Sequence, residues 1–487
     1  MRRFLLKQLI FWLVLPAVPG TIYSIGILPT GQMEYEFIYD RLERVDALTL
    51  DYYDYQLGPY QLRNRNFSFG PFESFGDIPG GRLGLFGFAG EDFRAARENR
   101  GRGFESIRGG IVGQPHDKFF VYGSFLLDEE KARDENYTGK KWRGLAGYVQ
   151  DAFVYYHSRR FELIVGRFAS FWGPRNSLVL CGNQRMDGFG YTFHWGKLAL
   201  SYRLARLDGL HPDADGVLQF ENRYFAGHRV DFHLNKHLRF GLFETVVFGG
   251  PGRQIDLFYL NPLIFFHGSQ LNEGTNDNTT VGFDFSIKPA VGYKFYGQLL
   301  VDDIQVDDQS QDDQEPAEVA FLLGGYVVNL AGWFDLKAEY SRVTNWTFNQ
   351  IYPRNRYIFD SRPIGRVLGN DYDLASLSLI RWMGDNTAAV FRFDHYRQGE
   401  GRIDAEWTEP WKQVEGDYSE PFPTGTVQKT TRMTLGIKSF IANMAFVDVE
   451  AGIDLVKNQN HVDADDRTLP FINLKISSFF LTSVKLE

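Results

Sequence analysis

Short and long connections alternate along this chain from about residue 114 to residue 468, and this alternation constrains the fold more than any motif does. Amphipathic segments of strand length are joined by tight connections at 157–161, 193–197, 235–237, 288–290, 331–333, 383–387 and 441–444. Longer polar stretches separate them near 128–141, 168–188, 205–224, 250–278, 303–317, 343–371, 397–430 and 457–468. Short turns at one end and long loops at the other are typical of transmembrane β-barrels.

Apolar and polar side chains alternate with period 2 inside several of these segments, as expected for strands with one polar face. The charged side chains that face the polar side include Asp231, Asp284, Lys288, Lys337 and Glu339. A large soluble β-protein would show the same alternation with water outside. The membrane is favoured because 44 Phe, 25 Tyr and 9 Trp supply a lipid-facing band with aromatic girdles. After residue 20 no apolar run reaches the length of a spanning helix.

The strand segments begin near 82–90 and 104–113 and continue in pairs to 469–480. They predict an all-β fold, a transmembrane antiparallel β-barrel of about 18 strands, which is an even number as in bacterial single-chain barrels. A barrel of that size is wide enough to hold an aqueous lumen. The barrel is expected to occupy residues 81–487.

Two segments precede the predicted barrel. Residues 1–20 have a positive start, a short apolar core and small residues at the end, so they predict a signal peptide that is cleaved after export. Residues 21–80 form the expected N-terminal periplasmic helical segment. Within it, Tyr35, Ile38, Leu42 and Val45 recur at helical spacing over 34–47. This helix is expected to pack on or inside the barrel mouth, or to dock a periplasmic export partner.

Charge, cysteine content and motifs exclude several function classes. A net charge of −9 disfavours a nucleic-acid partner, and Cys181 alone allows no intrachain disulfide. The chain has no nucleophile elbow, zinc-protease helix, phosphate loop or dinucleotide fingerprint, so no enzyme, no catalytic residue, no cofactor and no metal is predicted. The acidic stretch 302–315 is consistent with a solvated loop or with a divalent-cation site.

Several short motifs follow one another along the chain in a recognisable order. The clearest is Val165-Gly166-Arg167 followed by Trp172-Gly173-Pro174. The other stretches are 35–42, 177–178, 226–229, 259–262, 298–303, 340–346, 369–371 and 399–402. Together these motifs resemble those of the Wzi family of outer-membrane capsule assembly proteins. The resemblance implies a monomeric barrel of the Gram-negative outer membrane. It also implies a non-catalytic, lectin-like role, in which exported capsular polysaccharide or exopolysaccharide is bound and attached to the cell surface. The glycan's identity does not transfer.

Two groups of residues are candidates for function. The candidate polysaccharide-binding residues, in or at the start of long loops, are Trp172, Trp346, Asn345, Trp407 and Trp411. Exposed loop tryptophans can stack on sugar rings, but they are also typical of an aromatic girdle at the membrane interface. For Trp172 the alternative is packing within a loop that folds inward as a plug. The candidate polar network at the lumen and loops consists of Arg167, Asp302, Asp303 and Arg342. The expected partners are surface polysaccharide and outer-membrane lipid.

The main competing function is a porin or channel for small solutes, in which the inward charged positions form a constriction. An outer-membrane hydrolase is a third alternative that only the abundant carboxylates support. Steady open conductance in single-channel recordings would favour the porin over the attachment protein.

Overall fold

The computed structural model describes residues 27–28, 33–50, 57–58, 60–61, 82–96, 99–134, 137, 139–209, 222–304, 314–441 and 445–485. The predicted signal peptide at 1–20 lies outside the described residues, as do most of the acidic stretch 302–315 and most of the connection at 441–444. Within the described ranges, no helix combines the length and the apolar character needed to cross a membrane.

The wall is a closed antiparallel barrel, in which every strand pairs with its neighbours and the last pairs with the first. Among the described residues, 18 long strands form the wall, which confirms the predicted fold class. The strands are β1 (Arg82–Ala96), β2 (Asn99–His116), β3 (Phe119–Asp128), β4 (Leu145–His157), β5 (Phe161–Trp172), β6 (Cys181–Trp195), β7 (Leu198–Arg206), β8 (Asn222–Asn235), β9 (Leu238–Gly250), β10 (Asn278–Ile287), β11 (Tyr293–Asp303), β12 (Glu318–Leu330), β13 (Phe334–Val343), β14 (Tyr372–Trp382), β15 (Thr387–Gln398), β16 (Gln428–Ile441), β17 (Ala445–Lys457) and β18 (Arg467–Lys485).

Turn length differs between the two ends of the barrel, as predicted. Each tight connection joins two strands that are adjacent in the sheet, and all of them lie at one end because the strands alternate in direction. Apolar side chains facing outward stay exposed along the wall, as expected of a lipid-facing band. They include Val165, Leu242, Phe295, Leu323, Leu435 and Ile472.

The remaining elements are short. The helices are α1 (Met33–Leu48), α2 (Glu129–Arg133) and α3 (Phe266–Glu273), and single 3₁₀ turns occur at Phe258–Leu260, Pro353–Asn355, Pro410–Gln413 and Gln459–His461. The two-residue strands are Ile27–Leu28, Leu57–Gly58, Tyr60–Gln61, Lys141–Trp142, Ile358–Phe359 and Arg362–Pro363. Of these two-residue strands, Leu57–Gly58 pairs with the end of β5 and Lys141–Trp142 pairs with the start of β4. The other four do not belong to the barrel sheet.

Helix α1 fills the lumen at the short-turn end. Its buried side chains, each at most 2% exposed, are Tyr35, Phe37, Ile38, Tyr39 and Leu42. The Phe37 ring alone contacts Trp382, Phe440 and Phe446, with centroids 5.4, 5.6 and 5.5 Å away. Burying one such side chain is worth about 1.5–3 kcal/mol, so helix and wall form one core. Of the two predicted roles of this helix, packing inside the mouth is observed.

Candidate functional site

The loop between β5 and β6, which we call the inner loop (173–180), turns into the lumen above α1. The Gln298 carboxamide oxygen accepts hydrogen bonds from the Leu178 backbone N–H at 2.6 Å and the Ser177 hydroxyl at 3.1 Å. The Tyr357 hydroxyl donates to the Val179 carbonyl at 2.9 Å. Trp172, at the start of the loop, is 4% exposed and packs in the core that surrounds it. Its ring is therefore part of the lumen filling.

Charges on the wall are neutralised by the groups that fill the lumen. Asp46 of α1 accepts from the ammonium groups of Lys288 and Lys294 at 2.9 Å each. Lys337 donates to Glu43 at 2.7 Å. Among the described residues, further ion pairs between α1 and the rest of the barrel are Arg44–Asp335, Arg41–Asp385, Arg175–Glu36 and Arg175–Asp40. Pairs from several directions hold the helix in place.

The charged positions that the sequence placed in the lumen are thus engaged. Asp231 and Asp284 both bind the fully buried Arg229 guanidinium. Glu339 pairs with Arg366 at 3.2 Å and accepts from the Asn176 amide of the inner loop at 2.8 Å. Lys288 and Lys337 bind α1, as described above. A porin constriction needs charges that face an open path. Here Glu339, Lys288 and Lys337 bind groups that fill the lumen, whereas Asp231 and Asp284 are neutralised by an arginine of the wall.

Two long loops at the opposite end, residues 344–371 and 399–427, form what we call the outer lid. Three of its tryptophans pack against one another: the Trp346 centroid lies 4.9 Å from that of Trp407 and 5.5 Å from that of Trp411, and Trp407 and Trp411 are 5.9 Å apart. Edge-to-face packing of this kind adds about 0.5–1.5 kcal/mol per pair to the burial itself. Trp346 is 7% exposed and Trp411 is 1% exposed, so only Trp407 keeps a half-buried ring.

Glu420 joins the two loops of the lid beside the tryptophans. Its Oε1 accepts from the Asn345 amide at 3.0 Å, from the Trp346 indole N–H at 3.0 Å and from the Tyr418 hydroxyl at 3.3 Å. Burial raises the pKa of Glu420 above its ordinary value despite these donors. Burial, together with the Glu420 charge, also raises the pKa of Tyr418 to about 12. No sequence signal pointed to Glu420.

Asp371 fastens the base of the lid. Its carboxylate accepts from the backbone N–H groups of Gly401 at 2.9 Å and Thr424 at 3.0 Å, and its own side chain is fully buried. A Cβ at Gly399 would collide with Asp371, and one at Gly401 would collide with Asn345. The stretches 369–371 and 399–402, which carried part of the family resemblance, therefore meet in space and require glycine.

Two of the predicted network residues touch the lid. The Arg342 guanidinium lies over the Phe422 ring, 3.6 Å from its centroid. Asp302 is buried at the end of β11 and accepts from the Phe348 backbone N–H at 2.6 Å. Each residue thus joins the wall to one loop of the lid.

The other two network residues are Asp303, which directly follows Asp302 at the end of β11, and Arg167 on β5. Asp303 is exposed. Arg167 binds Asp187 through two hydrogen bonds of 2.6 and 2.8 Å, and its guanidinium also donates to the Val149 carbonyl. The structure therefore brings Asn345, Trp346, Trp407, Trp411 and Arg342 to the outer lid but not Arg167.

Cavities remain along β1–β4 and β12–β18, and we call this space the outer recess. A cavity of about 410 Å³ at the outer rim is lined by Arg94, Arg102, Phe104, Arg432 and Phe471, among others. It shares lining residues with neighbouring cavities of about 690 Å³ and about 480 Å³. The deepest part ends at α1, because Asp40 and Glu43 line it.

Comparison with known proteins identifies the family. The family model of capsule assembly protein Wzi matches residues 124–470, well over half of the chain. The chain belongs to the Wzi capsule assembly family. As a β-barrel of this family, it is a protein of the outer membrane. No curated protein sequence matches the chain.

One solved structure shares the barrel fold of this Wzi-family chain, and two others match it less well. Wzi of Escherichia coli, described as an outer membrane protein involved in group 1 capsule assembly and a carbohydrate-binding β-barrel, matches with a TM-score of 0.60 and 14% identity, over 93% of this chain and 99% of that one. OccD3 of Pseudomonas aeruginosa matches with a TM-score of 0.47 and 11% identity, over 85% and 94%. OccAB1 of Acinetobacter baumannii also has a TM-score of 0.47 and 11% identity, over 84% and 99%.

Proposed function

We propose that this Wzi-family barrel binds an exported capsular polysaccharide or exopolysaccharide at its outer end and attaches it to the cell surface without catalysis. The proposal rests on how the lumen is occupied. Charged residues of the wall bind α1 and the inner loop, and the remaining cavities extend to the outer rim. Family membership and the carbohydrate-binding description of the related Escherichia coli protein agree with it. The filled lumen argues against the porin alternative.

The outer recess is the proposed binding place. Its rim cavity of about 410 Å³ is within the usual range of ligand sites, roughly 300–1,000 Å³. The rim places arginines beside aromatic rings: Arg94, which is paired with Asp92 and Glu130, lies over Phe104, and Arg432, which is paired with Asp454, lies over Phe471. Such a surface suits sugar rings, which present apolar faces and hydroxyl edges. Anionic sugars would add charge-assisted hydrogen bonds.

The loop tryptophans divide into two roles under this proposal. Trp407 keeps the partly exposed ring, so it is the proposed stacking contact on the outer lid. Trp346, Trp411 and Asn345 shape the lid around it, and Trp172 supports the inner loop. Arg342 and Asp302 connect the lid to the wall.

Further proposals concern export and assembly. Residues 1–20 act as a cleaved signal peptide, and the barrel works as a monomer. The N-terminal segment 21–80 also contacts a periplasmic export partner through residues other than the buried face of α1. Affinity capture of the exported protein with a tag after residue 487, followed by mass spectrometry of its N-terminus and partners, tests these points together.

The function is tested by polymer retention in a deletion strain. Cell-bound and released polysaccharide are measured separately, in the deletion strain and in strains that carry the wild-type or variant gene. Attachment predicts unchanged synthesis with most polymer shed into the medium, and recovery with the wild-type gene. Unchanged retention together with reduced uptake of a small solute would reject attachment and favour the channel. Single-channel recording of the purified barrel gives an independent check.

A further inference from the structure

Residues 251–277, between β9 and β10, fold over the outside of the barrel, and we call this segment the outer clamp. Along β7, Tyr202 and Leu204 face the same side as the exposed Leu198, and along β9, Val246 and Phe248 face the same side as the exposed Leu242. These outward side chains are nevertheless at most 4% exposed, because Tyr259 and Phe266 of the clamp pack on them. The sequence had predicted a polar outward loop here, whereas its central part is apolar.

The clamp covers charged groups on the lipid-facing side of the wall. Glu244 is 3% exposed and accepts from the backbone N–H groups of Phe266 and His267 at 2.7 Å each, at the start of α3. His228 lies 3.2 Å from the same carboxylate. A charged side chain facing lipid is destabilising, so a protein cover at this place has a clear physical reason.

Strand geometry places Glu244 at a height within the apolar part of the membrane. It is six residues from Leu238, where β9 begins at the short-turn end. With a rise of about 3.4 Å per residue and a tilt of about 40°, this corresponds to roughly 16 Å along the barrel axis, inside an apolar band of about 25 Å. The clamp therefore begins at a depth where lipid would otherwise contact the wall.

The outer surface of the clamp is strongly apolar. Leu263 is 83% exposed and Leu257 is 80% exposed, the highest values for large hydrophobic side chains in the described part of the chain. Phe265 is 60% exposed and Ile255 is 41% exposed. An apolar surface of this kind, continuous with the lipid-facing wall, marks an interaction site rather than a loop in water.

Several backbone groups of the clamp are hydrogen-bonded, as is required of a segment near lipid. The Tyr202 hydroxyl of the wall donates to the Tyr259 carbonyl at 2.8 Å. A 3₁₀ turn provides the bond from the Leu260 N–H to the Leu257 carbonyl, and Ser269 N–H of α3 donates to the Phe265 carbonyl. The carbonyls of Leu257 and Phe265, two of the exposed apolar residues, are therefore paired.

We propose that the outer clamp is a lateral membrane anchor, whose Ile255, Leu257, Leu263 and Phe265 insert among the acyl chains of the outer leaflet. The occupant of this surface is lipid because the patch continues the lipid-facing wall at the height of the apolar band. Interfacial segments of this type enter about 5–10 Å beyond the headgroup boundary. The anchor fixes the outer rim of the barrel relative to the lipid surface.

Depth-dependent quenching tests the anchor in the full-length barrel. The native thiol is removed by Cys181→Ser, and an environment-sensitive fluorophore is attached to Leu263→Cys, or to Leu257→Cys as a second position. The matched control is Val462→Cys, which is 55% exposed in the long loop after β17. Each protein is reconstituted in phosphatidylcholine vesicles with and without acyl-chain spin labels, and its folding is verified by heat-modifiable gel migration.

The expected result is quenching by acyl-chain spin labels at least threefold stronger at the clamp positions than at Val462, with little quenching by aqueous iodide. Iodide quenching equal to that at Val462 would overturn the proposal, because the clamp would then lie in water. Protection from both quenchers would also overturn it and would indicate that a second copy covers the patch, which thiol cross-linking then detects.

Discussion

Removal of the Asp46 carboxylate is the most direct way to loosen helix α1. The Asp46 carboxylate forms ion pairs with the Lys288 and Lys294 ammonium groups at 2.9 Å each, and none of the three side chains is more than 5% exposed. Asp46→Ala leaves two buried ammonium groups without their carboxylate, and breaking a buried pair in this way costs about 3–5 kcal/mol. Because each 1.4 kcal/mol is a factor of about ten, α1 should open roughly 100 to 4,000 times more often.

Hydrogen exchange of the α1 backbone amides measures this opening without unfolding the barrel. The matched control is Asp385→Ala, which removes an aspartate that also pairs with α1, through Arg41, but whose side chain is 62% exposed. An exposed pair contributes about 0–1 kcal/mol, so the control should change exchange by less than roughly fivefold. The wall strands should exchange at the wild-type rate in both variants.

The ion-pair argument is refuted if α1 exchanges equally fast in Asp46→Ala and in Asp385→Ala. Apolar packing of the helix would then hold it alone. A second comparison separates the two causes. Adding Lys288→Met and Lys294→Met to Asp46→Ala removes the two charges that have lost their carboxylate and should restore a large part of the protection. Continued rapid exchange in the triple variant would assign the effect to lost packing.

Three further predictions concern the outer lid. Burial raises the pKa of Glu420 in the closed lid, so protonation of Glu420 favours closure. This stabilisation is fully present below the unfolded-state pKa near 4.5 and is lost as pH rises through the folded-state pKa. Iodide quenching of tryptophan should therefore increase with pH in the wild type but stay constant in Glu420→Gln. Gly401→Ala forces a Cβ onto Asn345 and should destabilise the lid by about 1–3 kcal/mol, seen as faster exchange of lid amides; an unchanged rate would contradict the contact. Trp411→Ala should destabilise the closed lid by about 3–5 kcal/mol, because it removes a buried ring. Trp407→Ala should weaken polysaccharide binding more than it reduces the protection of lid amides from hydrogen exchange. Both quantities are measured on the same samples.

The wall could be predicted because its signals are local. Period-2 alternation and the spacing of turns report on neighbouring residues, so the strand count and the end with short turns were both predicted correctly. The helix at 34–47 was predicted for the same reason, and the structure extends it by one residue at each end. Strand ends were less accurate: β1 runs to Ala96, beyond the predicted 82–90.

The candidate site could be predicted only in part, because its contacts join distant parts of the chain. The inner loop is held by Gln298, about 120 residues away, and Glu420 binds Asn345 and Trp346 from a separate loop. No local pattern distinguishes a loop tryptophan that stacks on a sugar from one that packs on another tryptophan. The inward charges were recognised from alternation, but their partners on α1 were not.

The uneven filling of the lumen determines how the proposed ligand is held. One side is packed by the inner loop around Trp172, while the side lined by β12–β18 and β1–β4 keeps the outer recess. Under the proposed function, a polysaccharide that enters this recess can reach no deeper than Asp40 and Glu43 of α1. Only a short segment of the polymer then contacts each barrel. Retention of a long polymer then depends on simultaneous binding to many barrels, since linked weak contacts raise the overall affinity by factors of about 10²–10⁴. Shed polymer should therefore increase more steeply than in proportion when the number of barrels per cell is lowered, and a strictly proportional loss would indicate single, tight attachment.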